Sequence, residues 1–349
     1  MIKVLVIGPF KGAIGGVNVH INRLIELLSG SKNVKLVGLN DGKGHSSRFP
    51  NLRSYEFFEI FKSFYKNDII HIHSSIWWLI ILYIISGKIF SKKMIVTLHS
   101  WGYSLNQKKI LLIFLKGCNK IIAVNPSIKD ELNIKEKVIV QYAFLPPNKM
   151  DDSPLPQEIL IKLSEQRKSG KRFIVGNAGQ LFIYNSQDLY GLDLCIQCAR
   201  KFKMNNDPFF IIFTVSHHNE IAEKYINIID QEKLEDYIYL YVGLVSFPNL
   251  IKFSDLVVRP TNKDGDAITV REALFYNKPV LASNIIQRPT GVYLFKNRDW
   301  MDFYRQIKNV FNNTESSPVA ASQKLNFKLI YEQIYLTPEL KIDSGRTFS

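Results

Sequence analysis

The stretch from 255 to 274 holds the densest group of side chains that could do chemistry. Asp264 and Glu272 are acids in an acid-x7-acid arrangement, and carboxylates there can accept hydrogen bonds from sugar or ribose hydroxyls. A helix is predicted to begin near Asp266, because aspartate is a good N-cap residue. One acid then lies in the loop and the other about two turns into the helix. The alternative is a capping aspartate surrounded by solvent-exposed charges.

Cations accompany these acids. Arg259, Lys263 and Arg271 lie in the same stretch, and the N-terminus of the predicted helix adds the positive end of its dipole. Guanidinium and ammonium groups beside free backbone N–H groups are typical of a phosphate site. The stretch therefore predicts a site for a phosphorylated sugar or a nucleotide.

A second phosphate-binding turn is predicted at Gly15 and Gly16, between a strand at 2–7 and a helix at about 17–29. Glycines there let backbone N–H groups approach a phosphate at the helix N-terminus. Glycine is also common in any first strand–helix turn of an α/β sheet. The turn has neither the G-x-G-x-x-G spacing of a dinucleotide site nor the Gly-Lys-Ser/Thr of a Walker A loop.

No residue cluster in the sequence demands a metal ion or a cofactor. His71 and His73 share one face of a predicted strand, but two histidines without a third ligand are more typical of a core or a cleft lining. Cys195 and Cys198 have CxxC spacing on a helical pattern, which favours core packing. Three cysteines cannot form a disulfide framework, and the sequence opens on a strand, so a cytoplasmic protein is expected.

Strands alternate with amphipathic helices along the 349 residues, and this alternation predicts parallel sheets covered on both faces. A proline-rich segment, 145–154, separates two such series. The expected fold class is α/β, with two doubly wound Rossmann-like domains facing across a cleft. The predicted domains are 1–147, with a C-terminal helix at about 322–349 packing back onto it, and 155–321. Ligands of such sheets bind at the carboxyl ends of the strands.

Nearly all of the excess positive charge lies in the first half. Residues 1–150 have 21 Lys/Arg against 8 Asp/Glu, residues 151–349 have 24 against 23, and the whole chain has a net charge of +14. This asymmetry suggests an anionic membrane surface or a nucleic acid as partner, or only a soluble basic domain. A nucleic acid is disfavoured because no basic stripe alternates with aromatic residues.

An apolar run extends from Ile76 to Phe90 and is followed by lysines. It is too short for a comfortable bilayer span, which takes roughly 20 residues. Its paired Trp77 and Trp78, with the flanking lysines, are typical of a helix that lies in the membrane interface. A helix buried within the first domain is the alternative.

The acid-x7-acid stretch, followed by Pro279-Val280-Leu281-Ala282-Ser283-Asn284, resembles the nucleotide-sugar half of GT-B glycosyltransferases. Within them it is most similar to glycosyltransferase family 4, the group 1 glycosyltransferases of bacterial polysaccharide assembly. Other matching motifs follow in the family's order: Gly15-Gly16-Val17, Asp68-Ile69-Ile70-His71-Ile72-His73, Val96-Thr97-Leu98-His99-Ser100, Ile121-Ile122-Ala123-Val124-Asn125 and Phe144-Leu145-Pro146-Pro147. The similarity covers residue 2 to about residue 295.

The resemblance implies a retaining glycosyltransferase that uses a nucleotide-diphosphate sugar and needs no metal for catalysis. Glu272 would bind the ribose hydroxyls, Asp264 would hold a hydroxyl of the donor sugar, and His99 would line the sugar pocket. With Arg259 neutralising the leaving diphosphate, His99, Asp264 and Arg259 are the candidate catalytic residues. The other candidate donor-binding residues are Gly15, Gly16, Lys263, Gly265, Asp266, Ala267 and Arg271.

Two cations that the family usually has are missing. Gln180 stands where an arginine is usual, after the first strand of the second domain, and Tyr190 stands where a lysine is usual before its first long helix. Either Arg259, Lys263 or Arg271 replaces them, or phosphate binding is weaker or lost.

The expected acceptor is a lipid-linked or polysaccharide chain, received by the basic first domain at the inner face of the cell membrane. The protein would then be cytoplasmic and peripheral, with no resident cofactor. The alternatives are a catalytically inactive scaffold of the same fold in a membrane glycan-synthesis complex, a sugar-nucleotide epimerase, or a phosphorylase. The motifs do not determine the donor base, the sugar, the linkage or the oligomeric state.

Overall fold

The computed structural model describes residues 1–10, 15–42, 50–51, 57–132, 134–148, 151–312 and 326–337. The chain divides into two compact units, one of Met1–Leu145 with Lys324–Ser349 and one of Pro146–Gln323. Each unit is built on one six-stranded parallel sheet. The predicted α/β class with two doubly wound domains is therefore confirmed.

The first unit has a sheet in the order β2-β1-β3-β4-β5-β6. Its strands are β1 Ile2–Gly8, β2 Val34–Asn40, β3 Ile69–Ile72, β4 Lys93–Leu98, β5 Lys120–Ala123 and β6 Val138–Val140. The helices along this part of the chain are α1 Gly16–Leu28, α2 Phe57–Lys66, α3 Trp77–Ile89, α4 Leu105–Leu115 and α5 Pro126–Glu131. Because β2 and β3 flank β1 on opposite sides, the topological switch point lies between β1 and β3.

The second unit has a sheet in the order β11-β10-β7-β12-β13-β14, with its switch point between β7 and β12. Its strands are β7 Arg172–Ala178, β8 Ile183–Tyr184, β9 Gln187–Asp188, β10 Phe209–Val215, β11 Ile238–Val242, β12 Leu256–Arg259, β13 Val280–Ser283 and β14 Tyr293–Phe295; β8 and β9 form a separate antiparallel pair. Its helices are α6 Gln157–Lys168, α7 Leu192–Asn205, α8 Glu220–Gln231, α9 Phe247–Phe253, α10 Ile268–Phe275 and α11 Trp300–Asn312.

A last described helix, α12 Phe327–Leu336, belongs to the first unit. Its Tyr331 and Tyr335 are fully buried in the hydrophobic cluster that covers one face of the first sheet. Val4 and Val6 of β1 point into this cluster, whereas Leu5 and Ile7 point into the cluster on the other face. This two-sided burial is why the strands read as continuous apolar runs in the sequence.

The apolar run after β3 forms α3, a helix of 13 residues. Ile80, Tyr83 and Ile84 are buried against the first sheet. The helix also has an exposed apolar side, formed by Trp78, Leu82, Ile85 and Ile89. Among the described residues, no helix combines the length and the apolarity that crossing a bilayer would require.

Candidate functional site

The predicted phosphate-binding loop leaves β12 at the switch point of the second sheet. Arg259, the last residue of β12, donates a hydrogen bond to the carbonyl of Asn177 near the end of β7, over 3.4 Å. On the other side, the hydroxyl of Ser283 at the end of β13 donates to the carbonyl of Thr261 over 2.6 Å. The carboxyl ends of three neighbouring strands therefore meet at this loop, where ligands of doubly wound sheets bind.

Asp264 lies at the centre of the loop between two arginines. Arg259 donates through Nε and Nη2 to the two carboxylate oxygens, each over 3.2 Å, and Arg288 donates through Nη1 over 2.7 Å. The hydroxyl of Thr261 and the backbone N–H of Gly265 donate over 3.1 Å each. The Asp264 carboxylate thus accepts five hydrogen bonds, and its side chain is only 6% exposed.

The charges of this triplet stabilise one another. Burial raises the pKa of Asp264, but the guanidiniums of Arg259 and Arg288 outweigh burial and hold that pKa below its usual value. Burial likewise lowers the pKa of Arg259, but the Asp264 carboxylate outweighs it and the pKa is raised. Two cations share one anion, so the triplet keeps a net positive charge at the edge of the sheet.

Arg288 is a member of this site that sequence reasoning missed. Its Nε donates to the carbonyl of Ser283 over 3.1 Å, its Nη2 contacts the Ser283 hydroxyl at 3.3 Å, and its side chain is 2% exposed. The feature of the sequence that could have indicated Arg288 is its position five residues after the end of β13. Because β13 pairs with β12, the loops that follow the two strands leave the same edge of the sheet.

The prediction that Asp266 caps the next helix is wrong. The helix α10 begins at Ile268 with Ala267 at its N-cap, and no side chain caps it. The Asp266 carboxylate is instead turned to Arg271, whose Nε donates to Oδ1 over 2.6 Å. Burial raises the pKa of Asp266 despite this partner, and its Oδ2 is buried without a hydrogen bond among the residues the structure describes.

Lys263, Gly265 and Glu272 complete the stretch, in different surroundings. Lys263 is exposed, with its ammonium 4.7 Å from the centre of the Tyr184 ring. Gly265 is also exposed, and a Cβ built there would meet no atom within 4 Å. Glu272 is buried on α10. Lys263 and Gly265 are therefore accessible to a ligand, whereas Glu272 is only 4% exposed.

Tyr190, at the position where the resemblance predicts a lysine, contacts Arg259 instead of adding a cation. The centre of its ring lies 5.4 Å from the Arg259 guanidinium. The next residue, Gly191, has a φ of +73°, and a Cβ there would lie 2.1 Å from the carbonyl oxygen of Pro260. Only glycine permits this close approach of the loop to the end of β12.

Gly15 and Gly16 open α1 in the first unit. Gly15 is the N-cap in an extended conformation, no side chain caps the helix, and both glycines are exposed. The rest of the turn, residues 11–14, lies outside the described residues. The two glycines therefore stay candidates for contact with phosphate.

His99 follows β4 and contacts another histidine. His73 Nδ1 lies 3.1 Å from His99 Nε2, and His73 Nε2 lies 3.3 Å from His71 Nδ1. Burial lowers the pKa values of His73 and His99 well below 6.5, so both rings are neutral near neutral pH. His99 is partly exposed whereas His71 and His73 are buried, so among these three histidines it is His99 that solvent reaches.

The CxxC pair lies in the core of the second unit. Cys195 and Cys198 are free thiols, fully buried on α7, and burial raises both pKa values well above 9.0. A buried neutral thiol is a poor nucleophile and a poor metal ligand. The core-packing interpretation of the CxxC spacing agrees with this burial.

Solved structures of known proteins share this fold over nearly the whole chain. HepE from Anabaena in complex with UDP has a TM-score of 0.67 at 14% identity, covering 97% of this chain and 97% of that one. A glycosyltransferase from Rickettsia africae ESF-5 has a TM-score of 0.67 at 16% identity, covering 97% and 94%. The catalytic domain of starch synthase IV from Arabidopsis thaliana, bound to ADP and acarbose, has a TM-score of 0.63 at 14% identity, covering 97% and 99%. Such identities show a shared fold, the GT-B type.

No family model matches the sequence, and no curated protein matches it.

Proposed function

We propose that this protein is a retaining glycosyltransferase that moves a sugar from a nucleotide-diphosphate donor to a lipid-linked or polysaccharide acceptor. The observation that carries the proposal is the triplet of Arg259, Asp264 and Arg288 at the switch point of the second sheet. A net positive charge at that point favours a diphosphate. In support, the solved structures that share the fold include complexes with UDP, UDP-glucose and ADP.

Arg259 is the cation that we assign to the leaving diphosphate. A guanidinium has five N–H donors, and the bonds from Arg259 to Asp264 and Asn177 use three of them. Its side chain is 14% exposed, whereas that of Arg288 is 2% exposed. Arg259 therefore has both free donors and access to solvent, whereas Arg288 is enclosed and acts as a counter-charge to Asp264.

Asp264 has a different proposed role from the one the family resemblance implies. A carboxylate offers about four lone-pair positions, and Asp264 already accepts five hydrogen bonds from protein groups. We therefore assign it the positioning of Arg259 and Arg288 rather than contact with a sugar hydroxyl. Glu272 keeps the proposed contact with the ribose, and Lys263 and Gly265 remain the exposed donor-side positions.

The transfer step breaks the bond between the anomeric carbon and the diphosphate oxygen and forms a bond from that carbon to an acceptor hydroxyl oxygen. The proton of the acceptor hydroxyl leaves with the nucleoside diphosphate. Arg259 stabilises the charge that develops on the leaving group, which is the effect expected of a fixed cation in a partly buried site. His99 is proposed to line the pocket of the donor sugar, and no protein nucleophile or metal ion is assigned to the step.

The first unit is proposed to receive the acceptor at an anionic membrane surface, at the cytoplasmic face. We define the apolar face of this unit as the exposed large apolar side chains of α2, α3 and α4: Phe58, Phe61, Tyr65, Trp78, Leu82, Ile85, Ile89, Leu105, Ile110 and Ile113. The helices are neighbours, because Phe61 of α2 packs edge-on against Phe90 at 4.8 Å and α3 packs against α4. Exposed lysines lie on the same helices or close to them in the sequence, namely Lys66, Lys88, Lys93, Lys109 and Lys116. Aromatic residues with lysines suit an interfacial, peripheral contact.

A donor screen followed by a transfer assay tests the proposal. Thermal shifts with UDP-, GDP- and ADP-sugars should identify one stabilising donor, and release of the nucleoside diphosphate should then require an added lipid-linked or oligosaccharide acceptor. Glu272→Ala should weaken donor binding strongly, whereas Glu165→Ala, an exposed acid on α6 of the same unit, should leave binding unchanged. Unchanged donor affinity in Glu272→Ala contradicts the assignment of the site.

The same assays separate the alternatives. An epimerase would alter the donor sugar without any acceptor, and a phosphorylase would consume inorganic phosphate. A catalytically inactive scaffold would show no heat of binding for any nucleoside diphosphate in calorimetry.

A further inference from the structure

Histidines from three segments of the chain meet at the switch point of the first sheet. His20 comes from α1, His73 directly follows β3 and His99 directly follows β4. Their ring centres form a nearly equilateral triangle, with sides of 5.3 Å, 5.3 Å and 5.4 Å. The end of β1 closes the site, since a Cβ built on Gly8 would lie 3.1 Å from the Cβ of His73. Switch points are where doubly wound sheets bind their ligands.

The ring nitrogens of this triangle have the spacing of metal ligands. One nitrogen from each ring can be chosen so that all three lie within 4.8 Å of one another. In a tetrahedral site with bonds of about 2.0–2.1 Å, ligand nitrogens are about 3.3–3.4 Å apart. His73 Nδ1 and His99 Nε2 are already 3.1 Å apart, so only His20 has to approach.

Neighbouring groups fix two of the rings through hydrogen bonds. His20 Nδ1 donates to the carbonyl of Ala143 over 2.6 Å, which leaves Nε2 with its lone pair. That Nε2 lies 3.3 Å from the Tyr331 hydroxyl, which is a long contact. His73 Nε2 contacts His71, which is itself fixed by the hydroxyls of Tyr335 and Thr97 at 2.8 Å each. Outer partners of this kind fix the tautomers of metal-bound histidines.

We propose that His20, His73 and His99 bind one divalent transition-metal ion, of the zinc, cobalt, nickel or copper group. Imidazoles suit these ions, and three protein ligands leave a fourth position for water or an anion. Burial supports metal binding by keeping the rings neutral, since it lowers the pKa of His20 to about 4 and those of His73 and His99 well below 6.5. The partly exposed His99 provides the route of entry.

Titration with Co²⁺ tests the site without any substrate. The full chain, purified without a histidine tag and stripped with EDTA, should bind one equivalent of Co²⁺ with visible absorption bands, and Zn²⁺ should displace it. His73→Asn and His99→Asn should each lower the affinity by at least about 100-fold, because loss of an outer-shell partner alone typically costs 10–100-fold. The matched control is His218→Asn, an exposed histidine of the second unit, and it should bind like the wild type.

Three results would overturn the proposal: no stoichiometric binding by the wild type, full affinity in both ligand variants, or a Zn²⁺ X-ray absorption spectrum without imidazole scattering. Circular dichroism of the metal-free variants shows whether they fold. His99 is partly exposed, so His99→Asn decides if His73→Asn does not fold, and the absorption spectrum of the wild type needs no variant. No readout uses a sugar donor, so a failed transfer assay and a failed metal titration are distinguishable.

Discussion

At the scale of single residues, the charges of the loop after β12 pair in two different ways. Asp264 is held by Arg259 and Arg288, and Asp266 is held by Arg271. The three cations predicted from the sequence are therefore not equivalent. Arg271 has a carboxylate partner of its own, whereas Arg259 and Arg288 share one, and only Arg259 of those two has appreciable access to solvent.

Replacing Arg259 by alanine should lower turnover without unfolding the protein. We expect a loss of about 2–4 kcal/mol in activation free energy, on the order of 30- to 1000-fold in kcat, since a fixed cation at a developing charge contributes about this much. Steady-state kinetics with the identified donor measures it. Arg305→Ala, on the exposed side of α11, is the control and should be neutral. A wild-type kcat in Arg259→Ala would instead assign neutralisation of the leaving diphosphate to Lys263 or Arg271.

Asp264→Asn should destabilise the fold, because it leaves two buried guanidiniums without their shared anion. We expect a loss of about 3–5 kcal/mol in the free energy of unfolding at pH 7. The folded pKa of Asp264 is lowered below 3.8, so its stabilising effect is complete above that pH and is lost as pH falls through the folded pKa. The difference between wild type and variant in urea unfolding should therefore shrink below about pH 4. A difference that is constant with pH would show that the carboxylate charge is not the cause.

At the scale of elements, α3 is half buried and half exposed. It therefore fits neither prediction completely, the helix in the membrane interface or the helix buried within the first domain. The strand it follows fixes Ile80 and Ile84 against the sheet, and the opposite side of the helix adds Trp78 and Ile89 to the apolar face. A helix that is apolar on every side leaves apolar surface exposed when only one side packs on protein.

The double substitution Trp78→Ser and Ile89→Ser should weaken binding to vesicles of mixed anionic and zwitterionic phospholipid by about tenfold or more, because two apolar side chains no longer enter the interface. Co-sedimentation measures the bound fraction, and binding should also fall with added salt. Met204→Ser with Leu244→Ser removes comparable exposed apolar groups from the second unit and should leave binding unchanged. Equal losses in both double variants would refute a specific face.

At the scale of the whole molecule, the chain passes from the first unit to the second and then returns, and α12 becomes part of the first unit's core. Tyr331, Ile334 and Tyr335 are fully buried there. Glu332 accepts a hydrogen bond from Ser31 over 2.6 Å, and Lys120 donates to the carbonyl of Thr337 over 2.9 Å. The stability of the first unit therefore depends on residues that follow the whole second unit in the sequence.

Tyr335→Ala should destabilise the first unit by about 3–5 kcal/mol, the range for truncating a buried aromatic side chain. Three of the four tryptophans of the chain, Trp77, Trp78 and Trp101, belong to this unit, so tryptophan fluorescence during urea unfolding reports mainly on it. Leu336→Ala, on the exposed side of the same helix, should cost far less. Similar losses for the two variants would mean that α12 does not contribute to the core in solution.

The sequence by itself determined the class of fold and the stretch where the charges of the second unit gather. Apolar runs and amphipathic periods are local properties, so the alternation of β and α elements was readable without any contact between distant residues. The charged stretch from 255 to 274 was readable for the same reason. Asp266 was misassigned because a capping preference is weaker than an ion pair.

Only the tertiary structure decided which groups meet. Arg288 joins Asp264 because β12 and β13 are neighbours in the sheet, and His20 joins His73 and His99 because α1 begins at the same edge of the first sheet at which β3 and β4 end. Hydrogen bonds and metal coordination act over about 2–3.5 Å in space. Distance along the sequence does not show which residues lie within this range in space. The contacts of Arg288 and of the three histidines therefore follow from the order of the strands in the sheets rather than from local sequence patterns.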